Sequence, residues 1–328
     1  MTILLTGGSG FLGSHIAEQL AARGRPFKAL VRRSSSVAHL RALPNATLVE
    51  GAIDDRGSLE RALDGVTEVI HAAGLVKAKS AAEFHQVNAA GTRNMIEATL
   101  AKAPDLKRFV LVSSLSVSGP SSDGKPVSAD APPNPVTNYG RSKLAGERAA
   151  LAARDKLPLT IIRPPLIYGP RDRECYAFFQ AVKYHVLPYM GSTARGLSVV
   201  YGADAAAACV DALDAPVASG RAFYLEDGHT RTLAELVALI EGAMGTRAWL
   251  RFPIPRRLLD VAAFGSELYG KYSETAVMLT RDKCHELYAP HWVCDATDTR
   301  HALNWEPKVT FERGARITAD WYRHQGWL

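Results

Sequence analysis

Ile3-Leu4-Leu5-Thr6-Gly7-Gly8-Ser9-Gly10-Phe11-Leu12-Gly13 is the stretch on which the fold turns. A short apolar run ends in a glycine turn, and the turn opens directly into a helical pattern over 13–23. In that context each glycine has a task. Gly7 permits a tight turn, Gly10 lets a pyrophosphate approach the backbone, and Gly13 lets helix and strand pack closely. Phosphates held by this turn, with Ser9, Phe11 and Leu12 around them, lie at a helix N-terminus, where unpaired N–H groups favour an anion. A glycine pattern alone marks an ordinary turn, and the strand before it and helix after it give this one its meaning.

Working outward, further short apolar runs bounded by glycine, proline or charge occur at Phe27–Val31, Thr47–Val49, Val69–His71, Phe109–Val112 and Leu159–Ile162, with Phe223–Leu225 a late addition. Between them lie helical patterns at 58–63, 83–101, 139–153 and 203–213. Buried strands alternating with amphipathic helices predict an α/β, Rossmann-type doubly wound parallel sheet. The alternation loosens after about residue 170. Residues 1–170, plus about 196–227, are expected to form the dinucleotide-binding domain. About 171–195 and 228–328, with helices and aromatics but no repeating strand, are expected to form a smaller, partly interleaved substrate domain. The long Ser/Pro/Asp-rich loop Pro120–Pro135 interrupts the sheet region, and loops of that length are usually functional.

Composition removes several alternatives. The chain has 328 residues, 47% hydrophobic and 22% charged, which suits a globular protein with a real core. Its longest apolar stretches, Phe109–Val112 and Leu258–Phe264, are far shorter than a membrane span. The start carries no basic region or cleavage site, so no signal peptide is expected. Four cysteines are too few for a disulfide scaffold and fit a reducing cytoplasm. The net charge of +6 comes from scattered basic residues without a nucleic-acid module, so no nucleic-acid partner is expected. A mild positive field also suits an anionic cofactor.

The end of the second strand should read the adenosine ribose. Arg32 lies 19 residues beyond Gly13, near the ~20 at which such a reader stands. An acid there grips the 2′-hydroxyl of NAD, but the chain offers Arg32, Arg33 and Ser34. Guanidinium and hydroxyl donors suit a 2′-phosphate, so NADP is favoured, with NAD as the alternative. Further groups gather at strand ends, where ligands bind in open α/β sheets. Val112-Ser113-Ser114 ends one strand. Tyr139 and Lys143 stand at i and i+4 on one helix face. Asn88 follows the His71-Ala72-Ala73-Gly74 strand end. A tyrosine beside an ammonium has its phenolate favoured and can pass a proton.

Taken together these residues resemble the extended short-chain dehydrogenase/reductases, which include nucleotide-sugar epimerases, dihydroflavonol reductases and 3β-hydroxysteroid dehydrogenases. The resemblance runs along nearly the whole chain: TGGSGFLG at 6–13, VIHAAG at 69–74, VNAAGTRN at 87–94, LVSSLSVSGP at 111–120, YGRSK at 139–143 and RPPLIYGPRD at 163–172. It implies Tyr139 as acid–base, Lys143 as the residue that holds the nicotinamide ribose and lowers the tyrosine pKa, and Ser114 as the substrate-orienting serine. Ser113 is the fallback. It implies that Pro164, Leu166 and Ile167 border the nicotinamide, and that His71, Ala72, Ala73 and Asn88 line the cofactor cleft. Where the family usually has an acid to bond adenine, this chain has Ala52. The Ile53 backbone or Asp54 is then the substitute. A homodimer through the Tyr139 helix is common in such enzymes.

The C-terminal segment 252–328 and LVSSLSVSGP resemble the 3β-hydroxysteroid dehydrogenase-like branch more than the sugar epimerases. Candidate lid residues Tyr176, Phe178, Phe179, Tyr184, Leu187 and Tyr189 are mostly apolar or aromatic, which suits a small hydrophobic hydroxy or keto substrate. Two other functions stand beside this one: a sugar epimerase or dehydratase that holds NAD tightly, and a cofactor-binding regulator without catalysis. Arg171 has two readings, a substrate anion or an acidic neighbour. Cys284, His285, His291 and Cys294 match no common zinc spacing, and no metal is expected. Arg256-Arg257 beside Leu258–Phe264 has two readings, a helix resting on a membrane surface and an amphipathic interior helix, and the interior helix is favoured.

Overall fold

The structure, a computed structural model, describes residues 1–272 and 279–328. Seven strands build one sheet: β1 (Ile3–Thr6), β2 (Phe27–Val31), β3 (Ala46–Glu50), β4 (Glu68–His71), β5 (Arg108–Val112), β6 (Leu159–Arg163) and β7 (Arg221–Tyr224). Their order is β3-β2-β1-β4-β5-β6-β7, and every neighbouring pair is parallel. The chain winds outward from β1 to β3, then crosses back to β4. That reversal opens a crevice beyond the carboxyl ends of β1 and β4. Register brings Thr6 opposite His71, and His71 opposite Leu111, so these ends finish level.

Both faces are covered, which explains why the strands are nearly all apolar. One core packs helices Phe11–Ala22 and Gly202–Asp214 against the sheet through Ile16, Leu20, Ala205 and Cys209. The other packs helices Arg56–Ala62, Gly91–Lys102 and Asn138–Ala152 through Leu59, Met95, Ile96 and Ala150. Asp55 caps the first of these at the Ser58 N–H (3.2 Å), and Thr137 caps the last at the Gly140 N–H (3.1 Å).

The helix expected over 83–101 is broken. Ala81–Phe84 leads into a π-helical turn, His85–Ala90, before the regular helix Gly91–Lys102. The wide turn fits its surroundings. A Cβ on Gly146 would stand 2.6 Å from the Asn88 carbonyl, and one on Gly91 would stand 2.5 Å from Ile53 Cδ1. Single π turns of this kind are frequent at functional sites.

A third core lies beyond the carboxyl end of the sheet, built from Tyr168, Phe179, Leu187, Leu236, Ile240, Phe311 and Tyr322. Short strand pairs stand here among the helices and aromatics. Val186–Met190 pairs in parallel with Leu250–Ile254, and Gly196–Leu197 pairs antiparallel with Arg231–Thr232. The longer pair sets Pro188 against Phe252 and Pro253 against Tyr189. Prolines disguise a strand in sequence and are tolerated where the sheet ends. The candidate lid residues mostly belong to this core: Phe179 and Leu187 are buried, Tyr176, Phe178 and Tyr189 pack against it, and Tyr184 alone among the six is well exposed.

The helix Arg256–Tyr272 is not interior on the side expected. Leu259 and Ala263 face inward, whereas Leu258, Val261 and Phe264 are exposed. A single helix against one edge can bury only one stripe, and this one carries two.

Candidate active site

Gly7 takes a left-handed φ of +77°, and a Cβ there would meet the Ala72 carbonyl and the Ala73 nitrogen at 2.7 Å. Only glycine fits such a turn. The Gly10 N–H donates to the Gly7 carbonyl at 2.9 Å, while a Cβ on Gly13 would stand 2.0 Å from that same oxygen. Gly10 begins the first helix with no side-chain cap, so its leading N–H groups are left for a ligand. Ser9 and Gly10 are exposed, and Phe11 and Leu12 are half-buried beside them. A dinucleotide pyrophosphate fits this cradle. His39, unnoticed in the sequence, lies against the turn with Nε2 3.3 Å from the Gly8 carbonyl.

At the end of β2, Arg32, Arg33 and Ser34 are all exposed. The Arg32 N–H donates to Ser35 Oγ at 3.1 Å, and the Arg33 guanidinium stands 3.6 Å from Glu50 at the end of β3. Near the position expected to meet adenine, the Ile53 carbonyl accepts from Asn94 Nδ2 at 3.0 Å, and Asp54 is exposed.

The β4 end is a buried relay. Thr6 Oγ1 accepts from the Ala73 N–H (3.2 Å) and meets His71 Nδ1 at 2.7 Å. His71 Nε2 meets Thr92 Oγ1 at 3.2 Å, and that hydroxyl donates to the Asn88 carbonyl at 2.8 Å. The two threonines assign the tautomer: Nε2 carries the proton and Nδ1 accepts from Thr6. Burial, with the Lys143 charge, pulls the His71 pKa down to about 3, so the ring is neutral. Asn88 then spans three elements. Its Oδ1 accepts from the Leu75 N–H (2.8 Å), and its Nδ2 donates to the Leu75 carbonyl (2.9 Å) and to Ser142 Oγ (3.0 Å). Gly74 lies directly above: a Cβ there would stand 3.0 Å from Asn88 Oδ1 and 3.7 Å from Lys143 Nζ.

The Asn138–Ala152 helix brings Tyr139 and Lys143 to the β5 end. Lys143 Nζ is buried and donates to the Val112 carbonyl at 2.6 Å. Ser114 Oγ accepts from the Ser116 N–H at 3.1 Å, and its side chain favours the Tyr139 phenolate. Ser113, the fallback, is buried with no partner for its hydroxyl among the described residues. Pro164 is buried, and its carbonyl accepts from the Leu115 N–H at 2.9 Å. Leu166 is exposed and Ile167 half-buried at the same rim.

One electrostatic expectation is corrected. Burial pushes the Tyr139 phenol up to about 12, the Ser114 hydrogen bond opposing and the Glu286 charge adding to the rise. Lys143 is itself pushed down to about 8 by burial, against the pull of Glu147. Its ammonium is held on the Val112 carbonyl, so the cost of desolvating the phenolate dominates. Glu286 belongs to the helix Arg281–Tyr288, which the sequence does not connect to the site. Asp282 of the same helix accepts the Asn138 N–H at 3.0 and 2.9 Å through its two oxygens, and meets Arg141 at 3.3 Å.

Arg171 resolves toward its acidic neighbour, with two bonds of 2.7 Å to Glu18 and one of 2.9 Å to His15 Nδ1. Although burial opposes it, the Arg171 guanidinium, with His15 beside it, holds Glu18 down at about 2. Cys284 packs in one small core with Leu259, whereas Cys294 sits in another and its thiol donates to the Leu225 carbonyl. The pair therefore does not converge.

Comparison with known proteins adds to this geometry. Residues 3–224 match the model of the NAD dependent epimerase/dehydratase family. Over 99% of its length and 96% of the relative's, the chain is 33% identical to a ceramide reductase of Caulobacter vibrioides. It is 28% identical to a UDP-glucose 4-epimerase of Vibrio cholerae, covering 97% and 94%. Among solved structures, that of gox2253 superposes with a TM-score of 0.82 at 24% identity, covering 99% of this chain and 98% of the other, a likeness of fold. With the family match spanning more than half of its length and a full-length relative beside it, the chain belongs to the NAD dependent epimerase/dehydratase family.

Proposed function

We propose that this NAD(P)-dependent oxidoreductase interconverts a secondary alcohol and a ketone on a hydrophobic substrate, using the set Ser114, Tyr139 and Lys143. The observation that carries the reading is buried Lys143, which shares a helix with Tyr139 and is held at 2.6 Å on the Val112 carbonyl, at the strand end that carries Ser114. Gly7–Gly13 would hold the pyrophosphate, and Arg32, Arg33 and Ser34 would take a 2′-phosphate, which favours NADP. Asp54 and the Ile53 backbone would meet the adenine. Ala72, Ala73, Gly74, Asn88, Val112, Pro164, Leu166 and Ile167 would border the ribose and nicotinamide, with His71 behind them. When bound, the nicotinamide supplies or accepts the hydride.

The chain's own residues manage the proton and the oxygen. Tyr139, protonated throughout the ordinary pH range, donates its proton to the carbonyl oxygen as reduction proceeds and recovers it in the reverse direction. Ser114 donates to the same oxygen and orients it. Lys143 holds the ribose hydroxyls and offers positive charge to the phenolate once the proton has left. Residues 171–195 and 228–328 supply the substrate side.

The chain is 33% identical to the ceramide reductase and 28% identical to the UDP-glucose 4-epimerase, each along nearly its whole length, and the higher figure supports a lipid-like substrate over a sugar nucleotide. A panel of hydrophobic ketones and alcohols, including steroids and long-chain keto compounds, assayed with NADPH and NADH tests the reading. Turnover with a hydrophobic ketone and a lower KM for NADPH is expected. Purified protein that retains tightly bound NAD and shows no turnover with added NADPH would support the epimerase reading instead.

A further inference from the structure

The helix Arg256–Tyr272 is apolar on two opposite sides. Leu259 and Ala263 pack inward against Cys284, Ile254 and Tyr288. On the other side Leu258 is 62% exposed and Val261 69%, and Phe264, Leu268 and Tyr269 are exposed with them. Positions 258, 261, 264 and 268 step by three or four residues, so they form one outward stripe. A helix facing water normally carries a polar outer side, and one apolar all round is normally buried. Trp249, immediately before the strand that leads into this helix, is 75% exposed as well. Apolar surface gathered in this way marks an interaction site.

The charges around the stripe choose the partner. Asp260 pairs with Arg256 at 3.7 Å, Glu267 pairs with Arg281 at 2.9 Å, and Glu241 pairs with Arg251. Arg247 and Arg257 are exposed and have no acid partner among the described residues. An outward apolar stripe flanked by Trp, Tyr and exposed arginines is the pattern of a helix lying in a membrane interface. No helix among the described residues is long and apolar enough to cross. A second copy docked on this face would offer these arginines only acids that are already paired, Glu241, Asp260 and Glu267, whereas anionic headgroups complement them.

The position is suited to delivery. This helix packs on Arg281–Tyr288, whose Asp282 caps the Tyr139 helix and whose Glu286 acts on the Tyr139 phenol. The stripe is thus one helix away from the catalytic tyrosine. We propose that the outer face of Arg256–Tyr272, with Trp249, Arg247 and Arg257, docks on an anionic lipid bilayer without crossing it. The inference rests on the surface alone and stands whatever the substrate is.

Co-sedimentation of the full chain with NADPH tests it, using vesicles of phosphatidylcholine alone and the same vesicles with phosphatidylglycerol. Binding to the anionic vesicles is expected, weakened by salt and much weaker on neutral vesicles. Val261→Asp with Phe264→Glu should reduce it at least about tenfold, with NADPH affinity unchanged. Arg247→Gln and Arg257→Gln, which leave the apolar stripe intact, should each reduce it about fivefold. These two keep the test open if the first variant folds poorly. Absence of wild-type binding to anionic vesicles, or equal binding by all variants, would overturn the proposal. So would a wild-type dimer that becomes a monomer in Val261→Asp/Phe264→Glu, since a second copy would then be the occupant.

Discussion

At the scale of single residues, Tyr139 is asked to hold a proton firmly and Lys143 to hold one loosely. Tyr139→Phe keeps the ring, whose centroid lies 6.0 Å from that of Phe84, and removes only the hydroxyl. Turnover should fall by about 10²–10⁴-fold, while NADPH affinity measured by fluorescence titration stays within about twofold. Ser114→Ala should lower the rate with cofactor affinity equally spared. The pH profile separates the two titrating groups. With its phenol at about 12, Tyr139 stays protonated at any practical pH. Lys143, at about 8, loses its charge within the working range. The rate of ketone reduction should therefore be level below pH 8 and decline above it as the ammonium is lost. Lys143→Arg, always charged, should remove that alkaline decline even where its absolute rate is lower. A profile whose alkaline limb is identical in Lys143→Arg would assign the limb to another group.

Elements differ in how openly the sequence declares them. Gly7 and Gly13 are legible because their task is local: the backbone each must approach lies within the same βα unit or on the adjoining strand. Tyr139 and Lys143 are legible through the helix period, and their capping residue Thr137 lies two positions ahead. The π turn at His85–Ala90 is not legible, because it answers to Gly146 and Ile53 across a packing interface. Asp282 is further from reach still, capping Asn138 from 144 positions away. Asp282→Ala should cost about 1 kcal/mol in urea unfolding, the usual worth of a helix cap. It should also lower kcat several-fold, since the turn it fixes is the one that aims Tyr139. Unchanged kcat with lowered stability would make it a structural cap only. The β2–β3 end allows a separate test of cofactor choice. Arg33 is shared with Glu50 at 3.6 Å, both side chains in solvent. Glu50→Gln should lower the KM for NADPH and leave NADH unchanged, whereas Arg32→Ala with Arg33→Ala should raise it about tenfold or more, as loss of charge-assisted bonds to phosphate requires. Steady-state kinetics with the two cofactors would decide, and equal effects on both would count against a 2′-phosphate at this loop.

For the molecule as a whole, the sheet is legible because each strand is a local apolar run, whereas the third core joins segments from Tyr168 to Tyr322 that only the folded chain brings together. The relay Thr6–His71–Thr92 ties the two winding halves of the sheet at the reversal point, and its centre titrates. His71 is an acid-side weakness of the folded state. Unfolded, the imidazole takes a proton near pH 6.5, but folded it refuses one until about pH 3, because burial and then the Lys143 charge oppose it. The folded pKa is the lower one, so this stability is complete above pH 6.5 and is lost progressively as pH falls toward 3. The slope of one proton is about 1.4 kcal/mol per pH unit. Glu18, held at about 2 against its ordinary 4.5, loses its contribution only in the lower window between those values. Between pH 6.5 and 4.5 the two do not overlap, and the decline there belongs to His71 over Glu18. His71→Gln cannot titrate. It should be less stable than wild type at pH 7, where it keeps only part of the hydrogen bonding to Thr6 and Thr92, yet lose less as the pH is lowered to 5. Urea unfolding at pH 7, 6 and 5 measures both quantities. Parallel slopes in the two proteins would show that His71 is not the group whose protonation opens the sheet.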